Sequence, residues 1–170
     1  RSASDDTTRI QESPAVPPFV TPNPYADAIL AHNRAPHRRG HLHAPSHCGR
    51  GENALCGDSL GVELELADGR IRDYAFEAEA CAIVVATASM LGDALIGRSP
   101  PQLAQIEDDL LRLLGRREPE PDQALLQRVG ELSALAEMRA LPRRHRCVTL
   151  AIEAVQQALA SPPKRAPGAP

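Results

Sequence analysis

Gly61-Val62-Glu63-Leu64-Glu65-Leu66-Ala67-Asp68-Gly69-Arg70-Ile71-Arg72-Asp73-Tyr74-Ala75-Phe76 reads as a β-hairpin. Val62, Leu64 and Leu66 alternate with Glu63 and Glu65, the period of two that marks a strand with one buried face. Asp68-Gly69 is a turn dipeptide, and residues 71–76 return as the partner strand of 60–66. Cys56 precedes the first strand and Cys81 follows the second. With strands of similar length, both cysteines lie at the end opposite the turn, where one metal ion can reach both.

Helical patterns surround the hairpin. Residues 25–33 predict a short helix burying Ile29 and Leu30, and residues 82–95 a helix with a small-residue face suited to close packing on a sheet. Ser99-Pro100-Pro101 opens another, carrying Leu103, Ile106, Leu110 and Leu113 at helical spacing. Residues 116–122 are a charged loop, and 124–135 predict a further helix with Leu125, Val129 and Leu132 inward. Pro142 breaks the chain before a last helix over 143–160, with Val148, Ala151, Ile152, Val155 and Leu159 as its apolar stripe. The expected architecture is a single α+β domain, a small antiparallel β-sheet packed against helices. Residues 24–160 form it, between a proline-dotted, disordered extension (1–23) and a flexible tail (161–170). Asp5, Asp6 and Glu12 disfavour a transit peptide in the extension. A chain beginning on Arg1 rather than Met reads as trimmed at its start.

Three cysteines stand where loops meet these elements. Cys56 lies in Asn53-Ala54-Leu55-Cys56-Gly57-Asp58, Cys81 ends Phe76-Glu77-Ala78-Glu79-Ala80-Cys81, and Cys147 closes Leu141-Pro142-Arg143-Arg144-His145-Arg146-Cys147. A fold that gathers those junctions makes a site of three thiols and the Asp58 carboxylate. Such a donor set suits tetrahedral zinc, and the carboxylate, a weaker partner for a soft metal than a fourth thiolate, leaves the site exchangeable. The plainer reading is three ordinary core cysteines. Arg144, His145 and Arg146 crowd Cys147 with positive charge, which favours its thiolate, as does its place at a helix start. Cys48, with His41, His43 and His47, makes a second metal-capable cluster in the basic connector 37–50, read here as solvated loop with a spare thiol.

These motifs resemble those of the U-type scaffold family of iron–sulfur cluster assembly, which includes IscU, the NifU amino-terminal domain and SufU. The family pattern is Asn-Pro-x-Cys-Gly-Asp, then Gly-x-Gly-Cys-x-Ile, then a Cys starting the final helix. The helix-and-exit run Ile29-Leu30-Ala31-His32-Asn33-Arg34-Ala35-Pro36-His37-Arg38-Arg39-Gly40 also matches, as does the small-residue helix Ala82-Ile83-Val84-Val85-Ala86-Thr87-Ala88-Ser89-Met90-Leu91. The resemblance spans residues 25–159. The long stretch from Cys81 to Cys147, with its extra helix over 100–115, is SufU-like, and Pro142 and Arg144 fit a SufU-like Pro-x-Arg-x-x-Cys. The histidine of IscU-type chains just before the last Cys is Arg146 here, with His145 one residue further off. The chaperone-binding Leu-Pro-Pro-Val-Lys is absent, since Arg143 follows Leu141-Pro142. Ala54 replaces the family proline, and Ala78 and Ala80 replace the glycines before the second Cys, which predicts an altered loop aiming Cys81.

The resemblance implies a SufE/NifU-like fold and a protein that takes persulfide sulfur from a SufS-like cysteine desulfurase. Cys56 is the implied acceptor, zinc is held by Cys56, Asp58, Cys81 and Cys147, and Arg144 and His145 modulate the site. It would act as a sulfurtransferase-like acceptor without independent turnover, passing sulfur to downstream iron–sulfur acceptor or scaffold proteins. Two alternatives remain open: a scaffold that receives iron and sulfide at the same residues and builds a [2Fe–2S] cluster, and a structural zinc module without sulfur chemistry. The exchangeable Asp58 argues against the last, because structural zinc sites are closed by Cys and His. A formal net charge of −3, two Phe, two Tyr and no Trp speak against nucleic acid as the partner. No apolar run reaches the ~18 residues of a membrane span. Four cysteines in a chain of 170 residues fit metal chemistry in a reducing, cytoplasmic setting.

Overall fold

The computed structural model describes residues 24–163, so the expectations for 1–23 and for most of the tail lie outside the described residues. The hairpin is there and runs longer than its alternating core, with β2 at Asp58–Ala67 and β3 at Arg70–Glu79. Asp68 and Gly69 both adopt positive φ, 53° and 71°, the pairing a two-residue type I′ turn requires. The register shifts between Glu65 and Leu66, so Leu64 faces Tyr74 while Leu66 faces Ile71. Arg72 is the extra residue, and this bulge lets Ile71 and Tyr74, three apart, both point into the core. At the far end Ser59 pairs with Glu79, which brings the Cys56 and Cys81 loops side by side.

The connector 37–50 was expected to be loop, yet its end becomes a third strand, β1 (His47–Asn53), pairing antiparallel with β2 to give the order β1-β2-β3. Its sequence, His-Cys-Gly-Arg-Gly-Glu-Asn, lacks strand-forming residues. Its glycines are what the fold uses, because the last helix, α5 (His145–Ala160), presses its backbone onto the strand at Gly49 and Gly51.

Among the described residues, α5 packs on β1 and β2 and α2 (Ala82–Leu95) on β3, and β2 buries Leu60, Val62 and Leu64 while Gly61, Glu63 and Glu65 on its other face stay half-exposed. α2 buries nearly its whole length, from Val84 to Gly92 and again at Leu95. α1 (Pro24–Arg34) lies on α2 and buries Ile29, but Leu30 points outward and is 43% exposed, against expectation. His32, buried in α1, hydrogen-bonds Ser89 Oγ of α2 at 2.7 Å through Nδ1 and Glu131 at 3.2 Å through Nε2. α3 (Pro100–Leu113) begins with a capping box between Ser99 and Gln102. The helix expected over 124–135 stops early: α4 spans Gln123–Val129, and Gly130, at φ +56°, turns the chain into a 3-10 segment, Gly130–Ala140. That segment still buries Leu132, Leu135 and Met138. A single turn, Pro142–Arg144, then leads into α5, which starts at His145 rather than 143. Among the described residues, no helix is long and apolar enough to cross a membrane.

One buried carboxylate ties α3 to α4. Asp109, 1% exposed, accepts two hydrogen bonds from Arg128 at 2.8 Å each and one from Gln105 at 3.1 Å. Burial pushes its pKa up, but the Arg128 and Gln105 hydrogen bonds and the Arg128 and Arg112 charges together hold it below the ordinary value. Asp109→Ala is expected to lower stability by about 2 kcal/mol near neutral pH. A depressed carboxylate stabilises above its unfolded pKa of about 3.9, and that contribution is lost as pH falls through the folded value. The gap between wild type and variant in thermal unfolding should therefore be wide at pH 6 and shrink toward pH 3; a gap that does not change with pH would contradict the pairing.

Candidate metal and sulfur site

The loop joining β1 to β2 carries Cys56, and Asp58 opens β2 directly behind it. Cys81 caps the start of α2 in extended conformation (φ −66°, ψ 160°), and Cys147 lies in the first turn of α5. Cys56, Asp58 and Cys147 each present one donor atom, and these atoms all lie within 4.8 Å of one another. Asp58 is the pivot. Only 4% exposed, it accepts the Cys81 backbone N–H on Oδ1 at 2.8 Å, while the Cys147 thiol approaches Oδ2 at 3.8 Å. Cys81 falls outside the tightest group, but it lies near enough to Cys147 to raise that thiol's pKa.

The altered loop expected from Ala78 and Ala80 does not appear as backbone strain. Ala78 continues β3 and is buried, and Arg38 and Asp68 are the positive-φ residues other than glycine among those described. Arg39 donates to the Ala78 carbonyl at 3.0 Å, which helps fix the strand end.

The three cations before Cys147 do different things. Arg144 lies close enough to the site for the Cys147, Cys81 and Cys56 sulfurs to raise the pKa of its guanidinium, Cys147 most of all. His145 engages the Met138 carbonyl through Nε2 at 2.9 Å. Arg146 pairs with Glu153 and donates to the Glu52 carbonyl. Arg144 favours the Cys147 thiolate as expected, but burial outweighs it. Burial, then the hydrogen bond and charge of Cys81, push the Cys147 thiol up to about 12; Arg144 opposes the rise and Asp58 adds to it. Cys147 is buried, Cys81 half-buried and Cys56 exposed, all three free thiols.

This donor set fits a zinc ion. Ligand atoms bonded to one zinc at about 2.0–2.3 Å stand roughly 3.5–3.8 Å apart, a modest contraction from the present spacing, and the set's buried carboxylate forms no ion pair among the described residues. The connector's His41 and Cys48 do not extend it. His41 pairs with Glu63, and Cys48 sits on β1 opposite Glu63, in the register well away from the thiol end of the sheet.

A three-stranded antiparallel sheet whose far end gathers cysteines and an aspartate against two helix starts defines a class, and the comparisons agree with it. Residues 24–126 match the NifU-like N terminal domain family, and the chain belongs to that family. It is similar to the iron-sulfur cluster assembly scaffold protein IscU of Streptococcus pyogenes serotype M1, 30% identical over 135 residues, or 79% of this chain and 82% of that one. It is also similar to the zinc-dependent sulfurtransferase SufU of Bacillus subtilis, 28% identical over 139 residues, 80% and 89% of the two chains. The solved structure of a nitrogen-fixing NifU-like protein (N-terminal) from Brucella abortus superposes with a TM-score of 0.69 at 27% identity, covering 80% of this chain and 92% of that one.

Proposed function

We propose that this protein works in iron–sulfur cluster assembly as a sulfur acceptor, taking sulfane sulfur onto Cys56 from the persulfide of a cysteine desulfurase. One observation carries the reading. Of the thiols gathered around Asp58, Cys56 is the exposed one, while Cys81 is half-buried and Cys147 buried. A partner protein reaches the first far more readily than the other two.

The transfer conserves electrons. The Cys56 thiolate attacks the terminal sulfur of the donor's Cys–S–SH, the donor S–S bond breaks, and its electron pair leaves on the donor's sulfur as thiolate. The proton stays on the transferred sulfur, now Cys56–S–SH. Asp58, Cys81 and Cys147, with Cys56, are the residues that would hold zinc, and bound zinc keeps thiols deprotonated at neutral pH. Arg144 supplies a fixed positive charge toward all three sulfurs. Asp58 also anchors the Cys81 backbone, so it holds the ligand loop as well as offering an oxygen. The partners are a SufS-like desulfurase on the supply side and iron–sulfur acceptor or scaffold proteins downstream, and four free cysteines suit a reducing, cytoplasmic compartment.

A second reading has support in the scaffold names of the IscU relatives. The same donors would then receive iron and sulfide as cargo and build a [2Fe–2S] cluster. Anaerobic incubation with desulfurase, L-cysteine and ferrous iron separates the two, because a scaffold develops cluster absorbance on this chain and an acceptor accumulates persulfide.

One zinc per chain is expected, with Asp58→Ala weakening it at least about 10–100-fold, the usual effect of removing a group that orients metal ligands. Asp58→Asn, which keeps an oxygen for the Cys81 N–H, should fall between. Competition with a chromophoric chelator reads the affinities, and circular dichroism checks that the fold persists. Full zinc retention by a Cys56/Cys81/Cys147 triple serine variant would move the metal elsewhere, with the histidine-rich connector first in line.

A further inference from the structure

Three large apolar side chains stay exposed among the described residues: Leu30, Leu55 and Leu141. Two of them belong to the loops that build the thiol site. Leu55, 97% exposed, immediately precedes Cys56. Leu141, 49% exposed, begins the Pro142–Arg144 turn, and its carbonyl accepts the Arg144 backbone N–H at 2.8 Å. Arg143 and Arg144 are exposed on that same turn, and neither forms an ion pair with a carboxylate among the described residues. Exposed apolar side chains beside exposed cations, on the two segments that carry Cys56 and Cys147, have the make-up of an interface anchor rather than of ordinary surface.

From this placement we infer that Leu55 and Leu141 are the apolar anchors by which a sulfur-delivering protein docks, its surface offering an apolar socket rimmed by carboxylates that meet Arg143 and Arg144. The inference rests on the sulfur-acceptor reading and deepens it. A donor whose sulfur comes within bonding distance of Cys56 meets the short loop on which Leu55 stands exposed next to it. Covering a leucine that is almost wholly in water removes apolar surface at no cost in lost native contacts. Arg143 and Arg144 add long-range attraction and set the orientation of approach, which makes docking salt-sensitive. Leu30 lies on α1 and takes no part.

The test titrates wild type, Leu55→Ser and Leu141→Ser against the cysteine desulfurase of the source organism with L-cysteine, following alanine release. Leu55→Ser should raise the half-saturating concentration about tenfold or more, with the plateau rate unchanged, and Leu141→Ser should raise it less, in line with its partial exposure. Arg143→Glu should weaken binding further and flatten its salt dependence. A parallel arm loads Cys56 with inorganic polysulfide, a donor that needs no docking, and counts the added sulfur by mass spectrometry. Leu55→Ser should load like wild type there. Wild-type half-saturation in Leu55→Ser overturns the docking role while leaving sulfur acceptance standing, and so does loss of polysulfide loading in that variant, which would place the defect in the Cys56 loop itself. Loss of a wild-type self-association in Leu55→Ser, read by sedimentation, would instead assign the patch to a second copy of this chain. If wild type accepts sulfur from neither donor, the acceptor reading itself fails.

Discussion

Cys56→Ser should reduce stimulation of a partner cysteine desulfurase to the level of the desulfurase alone, and no persulfide should be recoverable from the variant. The three thiols of the site are not equivalent. Cys147 is at 0% exposure in the first turn of α5, and its thiol is pushed up to about 12, chiefly by burial. Without metal it is neutral at working pH and shielded from any donor. Cys81 is half-buried, with its backbone N–H tied to Asp58 and helix α2 running directly into the core behind it. Cys56 alone combines exposure with a loop position, and Arg144 lies within electrostatic reach of it. Serine keeps the size of the side chain and removes the nucleophile, since a hydroxyl is far less nucleophilic than a thiol at neutral pH. Because the side chain is exposed, the fold should be unaffected. Mass spectrometry after desulfurase treatment reads the outcome. Added sulfur found on Cys147, with Cys56→Ser still active, would reverse the assignment and favour cluster scaffolding at the same residues.

How much of this was legible in the chain depends on whether a residue's setting is local. The hairpin was, because period-two burial and an Asp-Gly turn are local signals, and with it came the reason that the Cys56 and Cys81 loops lie side by side. The strand ends were not, because Ser59, Ala78 and Glu79 pair through register rather than through any alternation of their own. β1 left no signal for a different reason: two glycines and a charged pair look like loop, and they form a strand because α5 needs a surface without side chains to lie on. The donor residues followed from motif alone. The behaviour of their neighbours did not, since the contacts of Arg144 and His145 depend on the turn at Pro142 and on a carbonyl offered by Met138. Burial of Cys147 likewise depends on everything packed around α5, and it reversed the expected direction of that thiol's pKa.

The largest effect on the fold is expected at Gly49. A Cβ there would stand 2.0 Å from the Ala154 carbonyl oxygen, 2.4 Å from the Ala158 nitrogen and 2.9 Å from the Ala158 Cα. All three are backbone atoms of one helix, so no side chain can rotate out of the way, and α5 as a whole must lift from β1. Overpacking of this kind commonly costs about 1–3 kcal/mol, and because these contacts are with rigid backbone, Gly49→Ala should reach roughly 3 kcal/mol or more. The displacement would reach the site, because β1 leads into the Cys56 loop and the first turn of α5 carries Cys147. Zinc affinity should therefore fall together with stability in this variant, although no ligand has been changed. Gly61→Ala is the control: it lies on β2 in the same sheet, and its added Cβ meets nothing nearer than the Glu77 carbonyl oxygen at 3.9 Å. Relief of glycine's backbone entropy in a strand should leave that variant as stable as wild type or more stable, by up to about 1 kcal/mol. Urea denaturation of the two variants side by side decides the point. A Gly49→Ala midpoint equal to wild type would mean that α5 does not lie on β1 as closely as described, and the route by which Cys147 reaches Asp58 would have to be redrawn.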